Sequence, residues 1–281
     1  MNHYANTPAG RVHAVAGEGE CPLILLHQGL RSAASFHRLM PFLGPRYRGV
    51  AVDLPGCGGS EAPPEGVTVV DLAESVVGIM DSLGLERAHV FGNHTGATVA
   101  VEVAAGWPER VDRLALFGYA LVNSEEERAA ELGTRVREME RDLESAPDGS
   151  HLPRWWAWLR SQVALKRFAD GDVPSDTFSS DEIGFMKMGL IDLARSADTF
   201  VPIYRAVFEF DSHARLPRVK APTLVVDGTG PFEPEIVRRG EAVAALIPDC
   251  RTHTMEGEDG NIIWWRPEAF AHVMEEFFET R

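Results

Sequence analysis

Cysteine is scarce in this chain of 281 residues, which contains only Cys21, Cys57 and Cys250. The three do not form a CxxC pair and do not fall with histidines at metal-ligand spacing. This argues against a disulfide framework and against a zinc site of the common kinds. We expect free thiols, a reducing cytoplasmic location and no bound metal.

Basic residues are in deficit, with 27 Lys and Arg against 42 Asp and Glu and a net charge of −15. Contact with phosphates needs a basic surface, so this balance argues against a nucleic-acid partner. No apolar run is long enough to span a membrane, and residues 1–10 lack the regions of a signal peptide. We expect no membrane partner, and we attribute the charge to solubility.

Short apolar runs that alternate with helical patterns are what the chain does contain. A 44% hydrophobic composition leaves ample material for a core, in one large domain or two. Alternation of this kind is typical of a parallel sheet with crossover helices. We predict an α/β fold with strands near residues 23–27, 50–54, 89–92, 113–117 and 223–226, a weaker one at 251–255 and an edge strand at 11–16.

One stretch breaks the alternation. From about residue 123 to residue 215 there are helix-like and polar segments but no good strand, and three of the six tryptophans lie at 155–158. A helical insertion between two strands is expected to lie over the carboxyl edge of the sheet, where open α/β sheets bind ligands. We expect a core of residues 1–122 and 216–281 and a helical cap of residues 123–215.

Four short blocks follow one another along the chain: LILLHQG at 23–29, DLPGCGGS at 53–60, GNHTG at 92–96 and RPEAF at 266–270. In this order and spacing they resemble the α/β-hydrolase superfamily over nearly the whole chain. The resemblance implies the α/β-hydrolase fold, and the insertion lies where that family carries its cap domain.

The block GNHTG stands where this family has its nucleophile elbow, G-x-S-x-G. Such an elbow presents one side chain to the active site and aims the next amide N–H at a developing oxyanion. The resemblance assigns the exposed side chain to His94 and the amide to Thr95. It assigns the second amide of the oxyanion hole to Gly29, with Leu30 as the alternative.

The family's catalytic positions hold other residues in this chain. His94 stands in place of the nucleophile, and the positions aligned with the acid and the base are Gly230 and Gly260. Without a hydroxyl or thiol at the elbow, the usual acyl-enzyme chemistry is excluded. Two replacements by glycine suggest a pocket widened for a bulky ligand.

Several carboxylates lie close to the two glycines. Asp227 and Glu233 flank the acid position, and Glu258 and Asp259 lie beside the base position. Glu258 and Asp259 either face the pocket and assist His94 or are solvated loop carboxylates. The nearest histidine to the base position falls inside the last strand.

His94 itself has two interpretations. It is either a general acid or base, or hydrogen-bond donor, in a covered pocket, or a space-filling residue that bonds to a neighbour. We favour the functional interpretation because of its place in the elbow. His27 ends a buried strand and is expected to be structural, whereas Gln28 brings an amide near the oxyanion position and is a candidate for orienting the substrate.

A further set of residues is expected to line the pocket. Tyr119 follows a strand, and His151 can hang from the cap toward the site. The tryptophans at 155, 156 and 158 form either an aromatic wall or the core of a cap helix. Our candidate substrate contacts are Gln28, Leu30, Tyr119, His151, Trp155, Trp156 and Asp259.

Three functions fit these observations. The favoured one is a cofactor-independent, non-hydrolytic enzyme of lyase, isomerase or cyclase type, in which His94 moves protons and the oxyanion hole stabilises an enolate. The second is a hydrolase in which His94 activates water, and the third is a non-catalytic ligand-binding protein. No lysine follows the glycines of PGCGGS, so we expect no nucleotide cofactor and a hydrophobic or aromatic small molecule as the partner.

Overall fold

The computed structural model describes residues 1–172, 175, 177–230 and 233–279. These residues form an eight-stranded sheet in the order β1-β2-β4-β3-β5-β6-β7-β8. Strand β2 pairs antiparallel with both β1 and β4, and all the other neighbouring strands pair parallel. The strands are β1 (Asn2–Thr7), β2 (Gly10–Ala16), β3 (Cys21–Leu26), β4 (Tyr47–Val52), β5 (Ala88–Asn93), β6 (Val111–Phe117), β7 (Thr223–Gly228) and β8 (Cys250–Met255).

The predicted fold class is confirmed, with one strand that the sequence did not indicate. Strand β1 has the sequence NHYANT, and most of its side chains are exposed or half-buried. An edge strand that buries almost nothing needs no apolar run, so it left no pattern in the sequence. The weak pattern at 251–255 has the same cause, because β8 is the opposite edge and most of its side chains are exposed.

Helices cover both faces of the sheet. On one face lie α1 (Val69–Ser82), α2 (Thr95–Gly106) and the short helix α8 (Gly240–Ala244), whose Val243 belongs to the same apolar cluster. On the other face lie the short helix α9 (Ile262–Trp265) and α10 (Pro267–Glu279). Helix α2 is composed of small residues and is buried along almost its whole length. Small side chains let it lie close to the sheet, which positions its first residue beside the end of β3.

Between β6 and β7 the described residues form helices and no strand. They are α3 (Glu125–Ala130), a π-helical turn (Glu131–Arg135), α4 (Val136–Leu143), α5 (His151–Ala169), α6 (Ser180–Glu209) and α7 (Ser212–Arg215). Phe185 and Phe200 of α6 and Leu159 of α5 belong to the same apolar cluster as the sheet and α1. This helical insertion therefore packs directly on the sheet rather than standing apart from it.

An ion pair ties the end of the insertion to the core. Arg215 of α7 donates through Nε and Nη2 to the carboxylate of Glu102, whose side chain is 1% exposed. Replacing Arg215 with methionine leaves a buried carboxylate without its partner, which typically costs about 3 kcal/mol or more. We expect the free energy of unfolding in urea to fall by about 3 kcal/mol. A loss below about 1 kcal/mol would contradict this, and Arg46→Met, at an exposed pair with Glu279, is the control with little expected change.

Candidate active site

His94 lies at the sharp turn between β5 and α2. Its backbone has φ 49° and ψ −109°, a conformation that non-glycine residues rarely adopt. Backbone segments lie very close together here. A Cβ on Gly92 would collide with the backbone of Gly96, and a Cβ on Gly96 would collide with the backbone of Leu26. Glycine is therefore required on both sides of His94. The turn has the strained geometry of an elbow that presents one side chain.

The side chain of His94 is paired with a buried carboxylate. Its Nε2 lies 3.1 Å from Oε1 of Glu233, whose side chain is 2% exposed. The same oxygen accepts the backbone N–H of Gly260 at 2.5 Å. A carboxylate held in this way selects the imidazole tautomer that carries its proton on Nε2 and leaves Nδ1 as the basic nitrogen.

This pairing changes the proton affinity of the imidazole. Burial lowers the pKa of His94, but the charge of Glu233 and its hydrogen bond raise it by more. The pKa therefore lies above its ordinary value of 6.5, and Asp259 adds to the rise. The pairing thus favours the protonated imidazole, which a buried ring without a carboxylate partner would disfavour.

The space beside the two glycines is filled, so the expectation of a widened pocket is wrong. A Cβ on Gly260 would lie 2.6 Å from Nε2 of His94 and 2.5 Å from Oε1 of Gln28. A Cβ on Gly230 would lie 2.7 Å from the backbone oxygen of Glu258. The volume given up at Gly260 is occupied by the imidazole of His94 and by Gln28.

Of the two carboxylates that flank Gly230, only Glu233 reaches His94. Asp227 accepts the N–H of Gly240 at 2.7 Å and so caps the start of α8. Glu258 lies 2.5 Å from Nε of Arg266 and 3.8 Å from Nζ of Lys166. Glu258 is therefore held in an ion-pair network that joins α5 to this loop, and it does not touch His94.

Asp259 faces the site without bonding to His94. It is 4% exposed and accepts the N–H of Asn261 at 2.7 Å. Burial is the main cause that raises the pKa of Asp259, and the nearby Glu233 carboxylate adds to it. Gln28 also borders the site and donates through Nε2 to Oδ1 of Asn261 at 3.0 Å.

The turn after β3 lies against the start of α2. A Cβ on Gly29 would lie 3.1 Å from Oγ1 of Thr95 and would collide with the ring of Phe200 from α6. The next residue, Leu30, has φ 57°, so this turn is also strained. The backbone of Gly29 and the N-terminus of α2 are thus neighbours, as an oxyanion hole between them requires.

His27 has the structural role expected of it. It is fully buried, and its Nε2 accepts the N–H of Leu54 at 3.0 Å. Its Nδ1 lies 2.8 Å from the carbonyl oxygen of Gln28. Burial is the largest influence on the pKa of His27 and lowers it, which keeps the ring neutral as it links two loops at the edge of the sheet.

Two cavities with different lining residues meet at His94. We call the first the apolar cavity; it measures about 230 Å³ and lies mainly under α6. Its wall includes Leu30, Met139, Phe200, Tyr204, Phe208 and Ile236. We call the second the polar cavity; it measures about 320 Å³, and its wall includes Arg31, Trp158, Gln162, Glu233, Asp259 and Asn261. Gln28, Gly29, Leu30 and His94 line both.

Four of the expected substrate contacts lie outside both cavities: Tyr119, His151, Trp155 and Trp156. Tyr119 is 1% exposed, and its hydroxyl donates to Ser212 at the start of α7. His151 accepts the N–H of Ala146, and Trp155 donates its indole N–H to the carbonyl of Asp142. These side chains stabilise the insertion and its junction with the core, and none of them lines either cavity.

Helix α5 presents a different tryptophan to the site. Trp155, Leu159 and Val163 form its buried stripe, and Trp156 packs beside the same core without reaching a cavity. Trp158 and Gln162, on another face of the helix, line the polar cavity. The spacing of the apolar residues at 155, 159 and 163 is the sequence signal that separates these faces.

Several other residues of the site carry no local signal in the sequence. Arg31 lies in the turn after β3, Phe200 lies in the insertion, and Asn261 directly precedes α9. They meet only because the loops at one edge of the sheet converge. In the part of the chain that the structure describes, no three His, Cys, Asp or Glu side chains are grouped to hold a metal ion. None of the described helices combines the length and the apolar character that a bilayer crossing demands.

The fold and the elbow agree with a comparison against known families. A family model described as the alpha/beta hydrolase fold matches residues 22–183. This chain belongs to that family. The match includes the turn after β3, the turn at His94 and about two thirds of the helical insertion, and the remaining strands complete the same sheet.

Relatives of this α/β hydrolase among characterised proteins are enzymes named as hydrolases. It is 38% identical over 118 residues to a 2-hydroxy-6-oxononadienedioate/2-hydroxy-6-oxononatrienedioate hydrolase of Paraburkholderia phymatum, which covers 41% of this chain and 39% of that one. It is 37% identical over 113 residues to a 2-hydroxy-6-oxo-6-phenylhexa-2,4-dienoate hydrolase of Comamonas testosteroni, over 37% of each chain. The chain thus matches about two fifths of the length of these relatives.

Solved structures extend the similarity of fold to the whole chain. The enol-lactonase from Burkholderia xenovorans superposes with a TM-score of 0.76 at 20% identity, over 99% of this chain and all of that one. A hydrolase from Pseudomonas aeruginosa superposes with a TM-score of 0.77 at 22% identity, over 99% and 98%. At this identity the superpositions establish the architecture alone.

Proposed function

We propose that this α/β hydrolase is a cofactor-independent enzyme that acts on a hydrophobic small molecule by acid and base catalysis at His94. The pairing of His94 with the buried carboxylate of Glu233, at the tip of the elbow, carries this proposal. A carboxylate that orients an imidazole is the arrangement that makes histidine an effective general base. Here the imidazole stands where the nucleophile would be.

The proposed chemistry is proton transfer next to a carbonyl. With the Nε2 proton donated to Glu233, Nδ1 of His94 takes a proton from carbon, and the substrate oxygen becomes an enolate. The N–H groups of Gly29 and Thr95 stabilise that oxygen, aided by the positive end of α2. Return of the proton to another carbon of the enolate gives an isomer. Collapse of the enolate with breakage of the bond to a β-substituent, which leaves with the proton from His94, gives a lyase reaction. Attack of the enolate carbon on a second carbonyl of the same molecule, whose oxygen takes the proton, gives a cyclase reaction. In this scheme the helical insertion acts as a cap that excludes water.

Removing the imidazole should abolish proton transfer. We expect wild-type protein to accelerate the exchange of the α-protons of 4-phenylbutan-2-one in deuterium oxide, followed by proton NMR. The rate of this exchange should be lower by about a hundredfold or more in the His94→Gln variant, because a general base usually accelerates a reaction by at least that factor. His253→Gln, at an exposed position on β8, is the matched control and should keep the wild-type rate. Equal rates for wild type and His94→Gln would overturn the role of His94.

Hydrolysis is the second candidate, and the names of the relatives favour it. In that case Nδ1 of His94 removes a proton from water instead of carbon, and the polar cavity beside it supplies room for the water. Esters, lactones, epoxides and C–C diketones offered in heavy-oxygen water would then give labelled product, dependent on His94. Tight binding of a ligand that is recovered unchanged would indicate a binding protein instead. Under all three candidate functions a serine-directed phosphonate should fail to label the protein, because a histidine stands in place of the nucleophilic serine.

A further inference from the structure

The two cavities at His94 differ in what they can bind. The wall of the apolar cavity is made largely of aromatic and aliphatic side chains of α6 together with Pro234, Ile236 and Val237. The wall of the polar cavity includes a guanidinium, amides, a hydroxyl and carboxylates beside the apolar side chains of Leu30 and Trp158. Since Gln28, Gly29, Leu30 and His94 line both, a molecule that enters both has its middle at the imidazole.

Arg31 is the unusual group in the polar cavity. It is only 3% exposed, and its guanidinium carbon lies 5.0 Å from the centre of the Phe185 ring. Its Nη2 makes one long hydrogen bond, 3.4 Å, to Oε1 of Gln162. Its Nη1 is buried without a hydrogen-bond partner among the described residues. Gly189 leaves room for this nitrogen, because a Cβ there would lie 2.8 Å from it.

The protein supplies little compensation for this buried charge. The nearby carboxylates of Asp192 and Asp259 form no ion pair with Arg31 within the described residues. Asp192 Oδ1 accepts the hydroxyl of Ser32 at 2.7 Å, and its other oxygen has no partner but lies beyond ion-pair distance of the guanidinium. Asp259 accepts the N–H of Asn261. A buried guanidinium stays charged and is costly without acceptors, so a ligand that accepts hydrogen bonds from Arg31 would offset part of this cost.

We propose that the substrate has two unlike ends, an apolar arm held in the apolar cavity and a carboxylate held by Arg31 in the polar cavity. The reacting carbon then lies between them, at His94; this step rests on the proposed function. A carboxylate fits because its two oxygens match the planar fork of a guanidinium. The amides of Gln28 and Gln162 and the hydroxyl of Ser161 add further donors to the same wall.

The test compares two probes that differ only at the polar end, 4-phenylbutanoate and 4-phenylbutanamide. In calorimetric titrations of the full-length protein, we expect the acid to bind at least about tenfold more tightly than the amide, as a charge-assisted pair in a dry site allows. Arg31→Gln should remove that preference. Arg38→Gln should keep it, because Arg38 lies over Trp264 and pairs with Asp181 outside both cavities.

A second measurement protects the test against a variant that fails to fold. In wild-type protein the indole N–H resonance of Trp158, assigned with Trp158→Phe, should shift with the acid and much less with the amide. Equal binding of acid and amide by wild type, or a preference that persists in Arg31→Gln, would overturn the carboxylate end.

Failure of this inference can be told apart from failure of the proposed function. Neither probe carries a ketone, so binding of the probes and proton exchange of 4-phenylbutan-2-one are separate measurements that can fail independently. If acid and amide bind equally while proton exchange still depends on His94, the proposed function stands and the two-ended substrate is wrong. If the acid preference depends on Arg31 while exchange is unaffected in His94→Gln, the substrate class stands and the proposed chemistry is wrong.

Discussion

Replacement of Glu233 by glutamine is expected to bring the pKa of His94 from above 6.5 to below it. In the wild type, burial lowers this pKa and the Glu233 carboxylate outweighs the effect. Glutamine removes the charge but not the burial, and its side-chain oxygen can still accept the N–H of Gly260. Titration of the His94 ring by two-dimensional carbon–proton NMR, assigned with His94→Gln, measures the shift directly.

The matched control is Asp227→Asn, which neutralises a carboxylate near the same loop that is bonded to Gly240 instead of His94. It should leave the pKa of His94 raised. If Glu233→Gln left the pKa of His94 above 6.5, the pairing would not be the cause of the rise. Activity should follow the imidazole: the rising limb of kcat/KM should move to lower pH, and its maximum should fall on the order of a hundredfold as the orienting carboxylate is lost.

The same pair makes stability depend on pH. Because the pKa of His94 is raised in the folded protein, protonation of its imidazole stabilises the fold. This contribution is fully present below the ordinary value of 6.5 and is lost as the pH rises through the folded value. The difference in Tm between wild type and Glu233→Gln should therefore be greatest at low pH and shrink as the pH increases.

Replacement of Gly260 by alanine is expected to displace the imidazole of His94. The added Cβ would lie 2.6 Å from Nε2 of His94 and 2.5 Å from Oε1 of Gln28, so both side chains must move. Moving His94 breaks its contact of 3.1 Å with Glu233. A misplacement of about 1 Å in a catalytic group can cost about a hundredfold, and we expect kcat/KM to fall by at least that. Overpacking should also lower the free energy of unfolding by about 1 to 3 kcal/mol.

A double-mutant cycle tests the cause. In a His94→Ala background the ring is absent, so adding Gly260→Ala should cost less stability in urea unfolding than it does in the wild type. It should also cause no further loss of proton exchange. The same stability cost in both backgrounds would show that contact with His94 is not the reason. Gly133→Ala is the control, because its Cβ would make an ordinary contact of 3.5 Å with Arg137.

The fold was largely predictable because each element has a local cause. Doubly buried strands such as β3 and β7 have continuous apolar runs, and the small residues of α2 and the glycines around His94 follow from close backbone contacts. The polar edge strand β1 has no such cause and was missed. In α5 the predicted substrate contacts were Trp155 and Trp156, but the buried stripe at 155, 159 and 163 places Trp155 in the core, and Trp158 lines the polar cavity.

The sequence by itself determined that a histidine stands at an elbow of the α/β-hydrolase kind. Its resemblance to that family aligned Gly230 and Gly260 with the positions of the acid and the base. Only the tertiary structure decided what those replacements do. It brings Glu233, 139 residues away, to within 3.1 Å of His94 and fills the space beside Gly260 with the imidazole. It also leaves Arg31 buried and incompletely paired. Local patterns encode strands, helices and turns, whereas a site is made where distant loops converge at one edge of the sheet.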